Sequence, residues 1–261
     1  MSDALIILIM PDYRVYFSAT QSETTTLILS YDESHHLVVV NRAKLGDPVI
    51  AFDGKGTEWT CILNKADKKA AHLSIVSIKR ANALPYQITL AQALPKGTHM
   101  DAIVRKATEL GVSSIIPLQT ERTQVKLESD RSERKVDKWQ TASLEAAKQC
   151  GNPWLPEITA LQEIKSVVEN SNIYDLRLIA SLEPTAVSLK LVLNLFEKKS
   201  GRSPKSVLWL VGPEGDFTAQ ELAHAKQHGF ESVTLGPLVL RCETAAISAL
   251  SILSYELQTR N

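Results

Sequence analysis

The stretch Leu208-Trp209-Leu210-Val211-Gly212-Pro213-Glu214-Gly215-Asp216-Phe217-Thr218-Ala219-Gln220-Glu221-Leu222 decides the fold class. It opens inside a continuous apolar run, residues 207–211, of the kind expected in a strand covered on both faces. A Gly-Pro-Glu-Gly turn follows, and then a helix begins. Thr218 has the side chain of an N-cap and Glu221 stands at N3, the spacing of a capping box, with Phe217 and Leu222 placed as a hydrophobic staple. Gly212 and Gly215 leave the backbone bare at the carboxyl end of the strand, where open α/β sheets bind ligands. Two readings of the turn are open on these residues. It is a small-molecule pocket made largely of main chain, or it is an ordinary glycine-rich βα connection with a good cap.

The same alternation recurs on both sides of this unit. Residues 88–94 are strand-like, and 100–110 are helical, with Met100, Ile103, Val104 and Ala107 on one face and Gly111 as the stop. A strand at 113–118 is ended by Pro117 and polar residues. Residues 132–149 form a long helix whose apolar side includes Val136, Trp139, Ala146 and Cys150, with Gly151 beyond its end. Residues 176–182 make another strand buried on both faces, and helices at 185–197, 218–228 and 245–258 follow the strands. Repeated βα units predict a parallel, helix-covered sheet over 86–261. Residues 1–78 read differently. Short β-rich runs at 5–10, 14–19, 25–29, 48–52, 57–63 and 72–78 surround one short helix at 32–43. Asp53-Gly54-Lys55-Gly56 joins two runs as a hairpin, and residues 64–69 form a second turn. This is the pattern of a small barrel or sandwich. Residues 79–85 are read as a linker.

Composition narrows the function classes. Of 261 residues, 44% are hydrophobic and 22% charged, which excludes wholesale disorder. Lys and Arg number 29 against 29 Asp and Glu, so no global basic field announces a nucleic-acid binder, although a patch can be basic within a zero total. The early apolar run at 5–10 is closed by Pro11, too short for a spanning helix or a signal-peptide core. Cys61, Cys150 and Cys242 lie far apart with no CxxC pair, which argues against a zinc site or disulfide framework. The expectation is a soluble cytoplasmic protein with no metal and no membrane association. There is no GxxxxGK[ST], no GxGxxG after a strand and no GxSxG. A site that advertises neither nucleophile nor metal suits the positioning of a reactive cofactor better than covalent catalysis.

A second stretch runs Val233-Thr234-Leu235-Gly236-Pro237-Leu238-Val239-Leu240-Arg241-Cys242-Glu243-Thr244-Ala245-Ala246. A strand ends at Leu235-Gly236 and an apolar loop follows, though exposed connections are normally polar. The loop is therefore either packed into the core or lines a pocket. Arg241 and Glu243, just before a long apolar helix, are either an ion pair at the helix start or members of that site.

Further segments join these two: Lys106-Ala107-Thr108-Glu109-Leu110-Gly111-Val112, Glu121-Arg122-Thr123, Glu145-Ala146-Ala147-Lys148-Gln149-Cys150 with Pro156, and His36 through Arg42 with Gly46-Asp47. In their order along the chain, and together with Val211–Gly215, Phe217, Glu221, Leu235–Arg241 and Glu243–Ala245, they resemble the bacterial 16S ribosomal RNA uridine-N3 methyltransferases of the SPOUT class. The resemblance covers most of the chain. Three places depart from the family pattern: Asp216 stands where a second Gly is usual, Leu238 where Arg is frequent, and Gly151-Asn152 where Gly-Arg or Ser-Arg is common.

The resemblance implies an N-terminal, RNA-binding PUA-like β-barrel and a C-terminal SPOUT α/β domain with a deep trefoil knot. Periodicity alone would never yield a knot, because knots are nearly absent from proteins. It implies S-adenosylmethionine as cofactor, held by Ser181 and Leu182, by Leu210, Val211, Gly212, Pro213, Glu214 and Gly215, and by Leu235, Gly236, Leu238, Leu240 and Arg241. The implied reaction is methylation of N3 of one uridine in 16S ribosomal RNA (uridine 1498 in the family), free or within the small ribosomal subunit, by a homodimer. The implied catalytic residues are Arg241 and Glu243. The N3 proton must leave, and a guanidinium near the uracil carbonyls stabilises the anion that develops. Glu243 and Glu214 are candidate proton acceptors, with water as another. The cations RNA contact requires are Arg14, Arg42 and Lys44 in the first domain and Lys96, Lys106, Arg122 and Lys126 in the second. Two rival readings are a catalytically inactive RNA-binding ribosome-assembly factor and a small-molecule α/β enzyme unrelated to RNA.

Overall fold

The computed structural model describes residues 13–18, 25–124 and 129–259, so the run at 5–10 and Lys126 lie outside the described residues. The chain divides into two units, Met1–Ala83 and Leu84–Asn261.

In the first unit, β1 (Tyr13–Tyr16), β2 (Thr26–Ile28), β3 (Pro48–Phe52), β4 (Thr57–Lys65) and β5 (His72–Arg80) form one five-stranded sheet in the order β1-β3-β4-β5-β2. β1 runs parallel to β3 and the other pairs are antiparallel. The Asp53–Gly56 hairpin forms as read. Gly54 and Gly56 take φ of 69° and 91°, and the Asp53 carboxylate accepts the Lys55 and Thr57 N–H groups at 2.7 and 2.9 Å. The single helix expected at 32–43 is instead α1 (Tyr31–His35) running into one π-helical stretch, His36–Val40. Val38, Val39 and Val40, β-branched and crowded in an α-turn, occupy the wider turn. Val15, Leu37, Val49, Cys61, Leu63 and Leu73 form the centre of this unit's core.

The second unit contains β6 (Gln87–Ala93), α2 (His99–Glu109), β7 (Ser114–Gln119), α3 (Ser129–Cys150), β8 (Glu157–Ile158), β9 (Gln162–Glu163) and α4 (Ile164–Glu169). It continues with β10 (Leu176–Ala180), β11 (Val187–Ser188), α5 (Leu189–Ser200), β12 (Ser206–Val211), α6 (Ala219–Gln227), β13 (Glu231–Thr234) and α7 (Cys242–Thr259). The eight strands form a parallel sheet in the order β11-β13-β10-β12-β6-β7-β8, with β9 also paired to β7. Alternation along β12 divides the core in two. Val207, Trp209 and Val211 pack with Ile103, Leu193 and Leu250, whereas Leu208 and Leu210 pack with Phe217, Leu222 and Ala225.

Several boundaries differ from the sequence reading for local reasons. Pro117 lies inside β7, not at its end. The outer edge of β7 pairs with β8 at Ser114 and Ile115 and with β9 at Leu118 and Gln119, so Pro117, which has no N–H to give, falls in the gap between them. Helix α5 starts at Leu189, later than expected, because Val187 and Ser188 pair with β13 and the Ser188 hydroxyl then caps the helix by accepting the Leu191 N–H. Cys150 is exposed at the end of α3, away from the apolar side that buries Trp139 and Ala146.

Candidate active site

Because β13, β10 and β12 are parallel neighbours, the loops leaving their carboxyl ends emerge side by side. They enclose a cavity of about 410 Å³. Ser181 and Leu182 follow β10; Val211, Gly212, Pro213 and Glu214 close β12; Leu235, Gly236, Leu238, Leu240 and Arg241 follow β13. All eleven, expected from sequence to share a site, line this one cavity. Leu210 and Gly215 do not. Leu210 points to the opposite face of β12 and is fully buried with Phe217 and Leu222. Gly215 faces Arg122, whose side chain would lie 3.4 Å from an added Cβ. His99, Asp216 and Cys242 also line the cavity and were not read from sequence.

The glycine turn is tightly fastened. At Gly212 an added Cβ would meet Asp216 Oδ1 at 3.2 Å and the Phe217 ring at 3.3 Å, so only glycine fits without displacement. Asp216 sits in the left-handed region at φ 59°, and its carboxylate accepts the Phe217 N–H at 2.8 Å. Burial pushes the Asp216 carboxyl up, against the opposing pull of that N–H and of Arg122. The capping box is complete: the Thr218 hydroxyl accepts the Glu221 N–H, and Glu221 Oε2 accepts the Thr218 N–H. Glu221 Oε1 also accepts the Glu121 N–H at 2.9 Å. Arg122 Nη1 donates to the carbonyls of Gly215 and Phe217, and Glu214 Oε1 accepts the Lys96 N–H at 2.9 Å. These contacts tie the turn to the loops after β6 and β7.

The apolar loop after β13 is not packed into the core; Leu238 is 73% exposed and Val239 78%. Thr234 Oγ1 both donates to the Gly236 carbonyl and accepts its N–H. At the start of α7 the Cys242 thiol donates to Glu243 Oε2 at 3.3 Å, and His99 Nδ1 lies 3.7 Å from Glu243 Oε1. Burial raises the Glu243 carboxyl, but its own backbone N–H, the Cys242 thiol, and the charges of His99 and Arg241 together hold it below the ordinary value. Burial pushes the Cys242 thiol up to about 12, with Glu243 adding to the effect. Arg241 is exposed, and no hydrogen bond or ion pair holds its guanidinium among the described residues. The Arg241–Glu243 ion pair is therefore not formed. Across the cavity, the Ser181 hydroxyl donates to Glu183, which Lys226 grips at 2.7 Å.

The other expected cations are dispersed. Arg14 pairs with Glu58 at 2.9 Å and stacks 5.1 Å above the Phe52 ring, packed into the first unit rather than displayed. Arg42 and Lys44 are exposed in one loop. In the second unit Lys96 is exposed and Lys106 pairs with Glu109 at 2.8 Å. Among the described residues, no group of three His, Cys, Asp or Glu side chains is arranged to hold a metal ion. No described helix is long and apolar enough to cross a membrane.

Residues 82–254 match the family model of the RNA methyltransferase domain, and residues 29–76 that of the RNA methyltransferase PUA domain. The ribosomal RNA small subunit methyltransferase E of Synechocystis is 34% identical over 247 residues, 95% of this chain and 78% of its own length. A methyltransferase of Legionella pneumophila, solved with bound SAM, has a TM-score of 0.83 at 33% identity, covering 93% of this chain and 97% of its own. The ribosomal RNA small subunit methyltransferase E of Neisseria gonorrhoeae, bound to S-adenosyl methionine, also has a TM-score of 0.83, at 28% identity over 94% of this chain and 97% of its own.

Proposed function

Since this chain belongs to the RNA methyltransferase family, alongside the ribosomal RNA small subunit methyltransferase E proteins, we propose that it uses S-adenosylmethionine to methylate N3 of one uridine in 16S ribosomal RNA. The observation that carries the reading is the cavity at the adjoining carboxyl ends of β10, β12 and β13. Its volume of about 410 Å³ falls within the ~300–1,000 Å³ of small-molecule sites. Its walls suit a nucleoside with a polar tail. Leu235, Leu238 and Leu240 offer an apolar bed, Gly212 and Gly236 expose backbone, and Ser181 and Glu214 supply polar groups.

The bound cofactor supplies an electrophilic methyl group on a sulfonium. This chain's task is to place a uracil nitrogen in line with it and to stabilise the charge that develops. The free guanidinium of Arg241 at the cavity wall suits the uracil carbonyl oxygens. Glu214, taken up by the Lys96 N–H, is an anchor of the turn.

In the same reading, residues 1–78 are an RNA-binding module whose sheet closes as a PUA-like barrel, and residues 86–261 are the methyltransferase domain. The segments around β12 and β13, with the loop leading into α7, form the trefoil knot of the SPOUT class. Exposed Arg42, Lys44, Lys96 and Lys106 provide phosphate contacts. Leu182, Leu238, Val239 and Tyr255 are large exposed apolar side chains of the kind that a homodimer interface covers.

The test is transfer of labelled methyl groups to 16S ribosomal RNA and to small subunits from a strain lacking the modification, with the modified base mapped. Label at N3 of one uridine is the expected result. Tight RNA binding without transfer would instead indicate an assembly factor.

A further inference from the structure

We propose that His99 is the base that takes the uracil N3 proton, with Glu243 as its positioning partner; the inference rests on the uridine-N3 reading. His99 opens α2 and Glu243 stands in the first turn of α7, and both line the cavity beside Arg241. The His99 ring is about half exposed, and its Nδ1 faces Glu243 Oε1 at 3.7 Å. The other Glu243 oxygen is occupied by the Cys242 thiol, so the carboxylate has one oxygen left for the imidazole. A carboxylate beside Nδ1 favours the tautomer that carries its proton there, leaving the Nε2 lone pair for substrate.

The other titratable groups on the cavity wall are already engaged. Glu214 accepts the Lys96 N–H, Asp216 accepts the Phe217 N–H, and the Cys242 thiol is a donor. The charged groups that share the cavity wall with the ring are Glu243, Arg241, Glu214 and Asp216, while Asp101 on α2 is held by Lys138 and Trp139. Base, orienting carboxylate and oxyanion-stabilising cation thus converge from two helix starts. In the step itself the N3–H bond breaks and its proton passes to His99 Nε2. N3 bonds to the methyl carbon as the carbon–sulfur bond breaks. S-adenosylhomocysteine, methylated uridine and an imidazolium result, with total charge unchanged, and the half-exposed ring returns its proton to water.

The experiment compares parent, His99→Gln and Glu243→Gln by single-turnover methylation between pH 5.5 and 9.5, alongside calorimetric binding of S-adenosylhomocysteine and a thermal melt. The parent rate should rise with pH over part of this range and then level off, the profile of a single general base. His99→Gln should lose ~10²-fold or more at neutral pH and keep climbing to the top of the range, as substrate ionisation takes over. Added imidazole should restore part of the rate of His99→Ala. Glu243→Gln should displace the levelling point, which a merely structural role would not move. S-adenosylhomocysteine affinity should change less than about 3-fold in His99→Gln. If His99→Gln keeps the parental pH profile, or if its loss lies in S-adenosylhomocysteine affinity or melting temperature, the base assignment is overturned alone. A parent that transfers no methyl group, or methylates another atom, overturns the uridine-N3 reading and the base with it.

Discussion

Arg122, in the loop after β7, donates from Nη1 to the carbonyl of Gly215 at 2.7 Å, so a side chain expected to meet RNA holds the glycine turn instead. Its second bond, to the Phe217 carbonyl at 3.3 Å, spans the start of α6. Arg122→Ala should weaken cofactor binding about 5-fold by loosening the turn, as removal of a partly exposed charge-assisted bond does. Arg122→Lys should recover part of the loss, since both bonds leave the one nitrogen Nη1 and an ammonium carries three donors on a single nitrogen. Calorimetry with S-adenosylhomocysteine checks this, and RNA affinity against salt separates the alternatives. Were Arg122 a phosphate ligand, its removal would instead lower the salt slope by about one and leave cofactor affinity intact.

Asp216 carries a prediction in the other direction. Its carboxyl is half-buried and pushed up from the ordinary aspartate value chiefly by that burial. A raised folded pKa means a contribution to stability that is complete below the unfolded value and is lost as pH rises through the folded one. Asp216→Asn keeps an oxygen for the Phe217 N–H and a side chain that tolerates φ 59°, but removes the titration. The variant should gain melting temperature relative to the parent as pH rises from about 4 to 7. A difference that stays flat across that window would remove burial as the cause.

Much of this site was legible because its parts are local. The Thr218–Glu221 capping box and the Gly212 turn each lie within a few residues, whereas Leu210, expected at the cofactor beside Val211, faces the opposite core. What the sequence hid depends on distant segments meeting. His99 and Glu243 share a cavity wall only because α2 and α7 begin beside it, and no spacing rule connects them. Arg14 reads as a surface cation until Glu58 and the Phe52 ring are seen to enclose it. The two-residue strands β8 and β9 are too short to carry any period.

Away from the cavity, Asp175 accepts two bonds from Arg202, at 2.8 and 2.9 Å, and the Lys205 N–H at 2.7 Å, just before β10. The Arg202 guanidinium is the main cause holding the Asp175 carboxyl down at about 2. A depressed folded pKa contributes stability that is present above the unfolded value and is lost as pH falls toward about 2. Asp175→Asn should therefore melt about 1–3 °C below the parent at pH 7, a surface-pair effect, and the gap should close between about pH 4 and 2. A constant gap in acid would mean that packing, not charge, sets the difference.

The most consequential substitution concerns Arg241. A cation kept only to anchor the start of α7 would be paired with Glu243, yet Glu243 is engaged by Cys242 and His99 while the Arg241 guanidinium stays exposed at the cavity wall. On the proposed reading, in which Arg241 meets charge only as it develops on the uracil oxygens, it acts on the transition state, so kcat and kcat/KM should fall together. Arg241→Ala should lose ~10²–10³ in single-turnover rate, the usual cost of one preorganised donor. Its melting temperature should stay within about 1 °C, as for an exposed side chain that makes no hydrogen bond or contact ion pair. Arg241→Lys should restore little, because an ammonium lacks the planar fork that spans two carbonyl oxygens. The measurement is methyl transfer at saturating cofactor and RNA beside a thermal melt and cofactor calorimetry. Near-parental turnover, or a loss confined to cofactor affinity, would return Arg241 to the role of a loop residue.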